Sequence, residues 1–239
     1  MLEIIEKQWQ QTSQSSWVIL LSLIGFWVGI SVYRRSHKKV LFHPLLVSTP
    51  LIAGAILWLQ IDYTDYYKGN GLLNWLLGPA TVALAVPLAR YLRQLSSLLP
   101  VILTAVFAGG LFAALCAILL GFWLVTDTQL VLSLAAKSVT TPIAMIITEQ
   151  LGGMITLITI IVLMTGIVGI FFADKIFNRL ALTDERWQGL VLGITAHAIG
   201  TLKAFEKSPR CGAFSTIGMG LNGIWTSFFL IPLVNRLIH

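Results

Sequence analysis

Charge is what this sequence has least of. Only 11% of its 239 residues are Asp, Glu, Lys or Arg, against roughly 25% in a soluble globular domain. So few charges cannot cover a folded surface, and with 56% hydrophobic residues and a mean hydropathy of +0.84 the chain must present apolar surface to lipid. Cysteine is also scarce. Cys116 and Cys211 show neither metal-ligand spacing nor a disulfide framework, and Cys116, inside an apolar run, reads as a small packing residue. No HExxH or GxSxG motif and no carboxylate pair within an apolar run occurs, so neither a metal, a cofactor nor an enzymatic reaction is expected. The formal charge of +6 sits in short gaps between apolar runs, and no nucleic-acid-binding motif accompanies it. Residues 1–16 are polar and mixed in charge, with no small-residue cleavage site after the first apolar run, so no signal peptide is expected.

What is present is a series of apolar runs of spanning length. A crossing helix needs about 20 mostly apolar residues. The sequence predicts an all-α, polytopic bundle of seven to eight segments over residues 17–239: Trp17–Tyr33, His43–Ile61, Leu72–Ala89, Leu98–Val125, Leu130–Thr148, Met154–Ala173, Trp187–Phe205 and Ala213–Ile238. Trp17, Trp58, Trp75, Trp123 and Trp187 lie near the ends of these runs, as interfacial anchors do.

The basic residues orient the first half. Arg34, Arg35, Lys38, Lys39, Arg90 and Arg93 fall in the first and third gaps, whereas the second and fourth hold only Lys68. The positive-inside rule then puts the first and third gaps in the cytoplasm. In the second half, strict alternation puts Lys175, Arg179 and Arg186 outside while Lys203, Lys207 and Arg210 stay inside. A fifth segment that does not cross fully, or crosses as two half-helices, is one explanation. Two proline-broken, Thr-containing stretches, Gly78–Ala83 and Ser138–Ala144, echo each other, and paired broken segments point to transporter-type repeats.

Three segments combine membrane depth with polarity. The first, Leu77–Leu88, carries Pro79, Pro87 and Thr81. Each proline removes an amide and obstructs the helix behind it, giving either a break or a kinked packing helix. The second, Lys137–Met145, holds Lys137, Ser138, Thr140, Thr141 and Pro142. A charge at bilayer depth costs roughly 2.5–3.5 kcal/mol on insertion scales. Lys137 therefore faces a wet cavity, a carboxylate or an anionic substrate, or else sits at a re-entrant tip near the interface. The third, Gly193–Thr201, holds His197 and Thr201 on one helix face, with Gly200 as a possible break. His197 is either a proton relay or carboxylate ligand or a buried neutral histidine bonded to a carbonyl. Asn222 reads as interhelical glue.

The runs reading LGPATVALAVPL (Leu77–Leu88), KSVTTPIAM (Lys137–Met145), LGG (Leu151–Gly153) and HAIGT (His197–Thr201) resemble, in order and spacing, those of the LrgB/CidB family. The resemblance covers the chain from about residue 17. His43-Pro44 and Ala89 depart from it, outside the three polar segments. It implies a multi-pass bacterial inner-membrane protein that works beside a small holin-like partner of the LrgA/CidA type, as a homo- or hetero-oligomer. It carries two functional expectations: transport of small monocarboxylates of the pyruvate, glycolate or glycerate class, or antiholin-like control of murein hydrolase activity and lysis. For the transporter, Lys137, Ser138, Thr140, Thr141, His197, Thr201 and Thr81 are the candidate carboxylate-binding residues, with helix breaks at Pro79, Pro87, Pro142 and Gly200.

The first gap is expected to be cytoplasmic. A Ser36→Cys variant should react with an impermeant maleimide only after cells are permeabilised; labelling of intact cells from outside contradicts the orientation.

Overall fold

The computed structural model describes residues 16–84, 86, 89–124 and 127–238, and among these every regular element is helical, with ten α-helices. Five stretches are long and apolar enough to cross a bilayer: Trp17–Arg35, Val40–Trp58, Ser96–Leu124, Ile155–Arg179 and Pro209–Leu237. Large apolar side chains such as Trp27, Phe112 and Phe228 are exposed on them, as lipid-facing residues must be. The chain is a polytopic helical membrane protein. It divides into two compact units, Met1–Ala83 and Leu84–His239.

The first unit contains α1 (Ser16–Arg35), α2 (Pro44–Trp58), α3 (Tyr63–Gly69) and α4 (Gly71–Ala83). Gly29 lets α1 and α2 touch, since a Cβ there would lie 2.7 Å from the Pro44 carbonyl oxygen. Ser22 on α1 bonds the Tyr66 hydroxyl at 2.7 Å and donates to Asn70 Oδ1 at 2.9 Å, tying α3 to the first span. Asp62 caps α3 by accepting the Thr64 amide at 2.7 Å, as a short helix start requires. Pro79 does not break its segment. It lies inside α4, which continues to Ala83, because a single proline bends a membrane helix without ending it when its neighbours satisfy the freed carbonyl. Pro87 lies outside the described residues.

The second unit contains α5 (Leu92–Leu124), α6 (Thr128–Leu134), α7 (Thr141–Gln150), α8 (Ile155–Arg179), α9 (Glu185–Lys207) and α10 (Pro209–Ile238). Its three long helices, α5, α8 and α10, frame two segments that enter the unit and turn back. The fifth segment is the first of these. After α6 the chain continues in tight i→i+3 turns through Lys137 and Val139, turns at the extended residue Thr140, and returns as α7. A glycine cap ends α7: Gly152 takes φ +77° and the Gly153 amide reaches back to the Thr148 carbonyl at 2.9 Å, the Schellman pattern. The chain has then come back to its entry point. The Met154 amide donates to Ser133 Oγ at 2.6 Å, and a Cβ on Gly153 would lie 3.0 Å from the Ser133 backbone nitrogen.

The seventh segment, expected as a crossing, also turns back. α9 is helical on both sides of His197, but His197 itself is non-helical, at φ 41° and ψ −128°. The two arms fold against each other there. Ser208, just past the end of α9, donates to Glu185 at its start at 2.7 Å, and Lys207 donates to Gln188 at 3.0 Å. Gly200 is not the break; it is helical, and its lack of a side chain is what lets the returning arm touch the Leu192 carbonyl and the Ala196 methyl. At the mouth of this hairpin Lys207 also pairs with Asp174 at 2.6 Å and lies over the Phe177 ring. Asp184 caps α9, and the Arg186 side chain bonded to it holds its carboxyl below the usual carboxylate range.

Because α8 runs from the mouth of the first hairpin to the mouth of the second, the two enter from opposite faces. Each has its own apolar core. Val131, Ala136 and Val139 of the first pack with Ile118, Ile158 and Leu230; Leu190 and Ile194 of the second pack with Ile102, Val106 and Phe214. The hairpins also resolve the charge pattern. Arg90, Arg93, Lys175, Arg179, Arg186, Lys203, Lys207 and Arg210 all fall at the end of the unit where α5 begins, which the positive-inside rule makes cytoplasmic.

Hairpins and strict alternation make opposite forecasts for two exposed positions. Gln150→Cys should be labelled from outside and Leu180→Cys only from inside; the reverse pair of results would restore full crossings.

Candidate functional site

The tip of the first hairpin carries Lys137, Ser138, Thr140 and Thr141, all half-buried. The tip ends in a helix start. The amides of Thr141 and Ile143 have no partner within α7 because they belong to its first turn, and Pro142 supplies no amide between them. The Thr140 hydroxyl does not cap them. Free amides and the positive end of the helix dipole make this an anion-accepting geometry. The Lys137 ammonium stands on the same tip. Among the described residues it forms no hydrogen bond or ion pair, and its electrostatic neighbours are the Cys116 thiol on α5 and the His197 ring.

The corner of the second hairpin is His197. A positive φ is rare for a residue with a side chain and costs about 1–3 kcal/mol unless the surroundings impose it. Here they do. The ring is buried, and Nε2 lies 3.0 Å from the Val162 carbonyl on α8, so Nε2 carries the hydrogen and donates. Gly166, one helical turn along α8, makes the room: a Cβ there would lie 3.0 Å from His197 Cε1 and 2.7 Å from Ile199 Cδ1. Beyond the corner the returning arm is helical again. Thr201 donates to the His197 carbonyl at 2.9 Å and meets Ser215 Oγ at 3.0 Å.

Asn222 on α10 joins the two tips. Its Nδ2 donates to the Ser138 carbonyl at 2.9 Å and to the Ile194 carbonyl at 3.3 Å. The first acceptor is on the tip of the first hairpin; the second lies three residues before the corner of the other, where the non-helical residue interrupts the ladder. In a bilayer such carbonyls find no water.

Of the residues marked by sequence, Lys137 and His197 come within electrostatic reach of each other, and Ser138, Thr140 and Thr141 share the Lys137 tip. Thr201 bonds the backbone of the second corner and Ser215. Thr81 is on α4, in the other unit, and its side chain lies outside the described residues. Sequence reasoning undervalued Asn222, whose role depends on two distant breaks meeting, and did not single out Ser215 or the Val162 carbonyl, a backbone group without a signature. Cys116, read as packing, neighbours Lys137.

Proteins similar in sequence match nearly the full length of the chain. The chain is 33% identical to an uncharacterized protein of Haemophilus influenzae over 92% of its length and 94% of that protein. It is 35% identical to YwbG of Bacillus subtilis over 87% of its length and 92% of that protein. It is 28% identical to the holin-like protein CidB of Staphylococcus epidermidis over 95% of its length and 98% of that protein. No solved structure matches. Residues 22–237 match the family described as LrgB-like, and the chain belongs to that LrgB-like family.

Proposed function

We propose that this protein is a multi-pass bacterial inner-membrane transporter of small monocarboxylates, the pyruvate, glycolate or glycerate class, working beside a small holin-like membrane partner. The observation that supports it is the tip of the first hairpin: a lysine that has no carboxylate partner among the described residues, beside the hydroxyls and helix-start amides of α7 that have no partner within that helix, where a second hairpin from the opposite face ends. A carboxylate leaving water must replace its hydration shell. The ammonium supplies the opposite charge, and amides and hydroxyls supply charge-assisted hydrogen bonds. A single point charge holds a monoanion without the bidentate grip of arginine, so release remains possible. Hairpins entering from both faces give the site a short route to either side.

A second reading, an antiholin-like regulator of lysis, is favoured by the description of the staphylococcal relative CidB as a holin-like protein. A small-residue face on α10 would serve such assembly, but most of it is used within the chain. Of Gly218, Gly220 and Gly223, the first packs against Leu190 and the last against Ile143 within the chain, and only Gly220 faces open space.

Uptake of labelled pyruvate, glycolate and glycerate into proteoliposomes separates the readings. Lys137→Met should lower uptake at sub-saturating substrate about 10- to 100-fold, the loss of a hydrogen bond to a charged group, with membrane expression retained. Lys137→Arg should fail as well, since guanidinium differs in shape and hydration. Normal uptake by Lys137→Met rules out the tip as the anion site.

A further inference from the structure

Each hairpin has its own apolar core, and the Asn222 carboxamide hydrogen-bonds to both hairpins. Asn222 is 1% exposed, and both of its amide hydrogens are committed, one to each hairpin. Its orientation is fixed from behind. A Cβ on Gly110 of α5 would lie 2.6 Å from Asn222 Oδ1 and 3.1 Å from the Trp225 ring, so only glycine leaves space for the carboxamide oxygen. That oxygen has no hydrogen-bond partner, which leaves the two Nδ2 bonds as the group's polar anchorage. The neighbouring glycine differs: a Cβ on Gly109 would meet only Ile194 Cγ2, at 3.3 Å.

We propose that Asn222, seated against Gly110, is a positioning residue that fastens the Lys137 tip to the corner of the opposite hairpin and keeps the tip site closed. For its effect on transport this rests on the reading of that tip as an anion site; the fastening itself does not. Loss of the Ser138 bond frees the tip of the first hairpin, since Ser138 is the residue between Lys137 and the turn. Asn222→Asp keeps the shape and replaces the donor with an oxygen facing two carbonyls, so it should act in the same direction as truncation.

The native Cys116 thiol, half-buried on α5 and within electrostatic reach of Lys137, is the reporter of the tip's state without substrate. In a Cys211→Ser background, the rate of Cys116 labelling by an impermeant maleimide would be measured in detergent-purified, monodisperse protein for Asn222→Ala, Asn222→Asp, Gly110→Ala and Gly109→Ala. The first three should label about tenfold faster, as loss of two ordinary buried hydrogen bonds permits, and Gly109→Ala should label at the parental rate. In proteoliposomes the same three should raise the KM for labelled pyruvate more than they lower the maximal rate. Parental labelling rates in Asn222→Asp and Gly110→Ala overturn the proposal whatever uptake does. Faster labelling in a protein whose parent takes up no carboxylate supports the fastening and removes the transport reading.

Discussion

Backbone satisfaction in hydrocarbon is the constraint on which this structure depends. A bilayer offers no water to an unpaired amide or carbonyl, so a chain can stop being helical at membrane depth only where protein surrounds the break. Among the described residues the chain breaks at depth at Lys137–Thr140 and at His197, and the surroundings answer both. The Val162 carbonyl takes the His197 ring, Asn222 takes the Ser138 and Ile194 carbonyls, and Gly166 and Gly110 provide the close approach that these contacts need. The three long helices α5, α8 and α10 form a frame in which Gly110, Gly121 and Gly166 allow close approach and exposed residues such as Phe112 and Phe228 face lipid.

The same constraint accounts for the chemistry at the tips. The break at Thr140 that leaves carbonyls to be satisfied also leaves the helix-start amides of α7 without a side-chain cap. Lys137 adds a full charge to these partial ones. In His197 the Nε2 hydrogen is already donated to the Val162 carbonyl on α8, so the histidine pins the corner.

Much of this was legible in the sequence, and the reasons for the rest are physical. Lys137, three hydroxyls and Pro142 in one short run mark a break because each is costly inside an uninterrupted lipid-facing helix. The return of the chain was not legible from hydropathy. Two short apolar arms joined by a turn have the length and composition of one crossing. Only charge carried the signal, through Lys175, Arg179 and Arg186, which strict alternation leaves on the wrong face. The second corner was harder. Gly193 and Gly200 suggested a break nearby, but the residue that takes the positive φ is a histidine, held there by a carbonyl on another helix. Asn222 was visible as a polar residue in a span, yet its importance depends on two segments far apart in sequence converging on it.

The central claim is that hairpins from opposite faces end against each other, and cross-linking tests it most directly. In a background without native cysteines, Ser138→Cys and Ile194→Cys put thiols on residues whose carbonyls share one Asn222 amide. A short bifunctional thiosulfonate should join them within a single chain at high yield, while a control pair, Ser138→Cys with Leu180→Cys, should stay unlinked. Failure of the first pair to link in folded protein, with both thiols reactive on their own, would contradict the meeting of the tips.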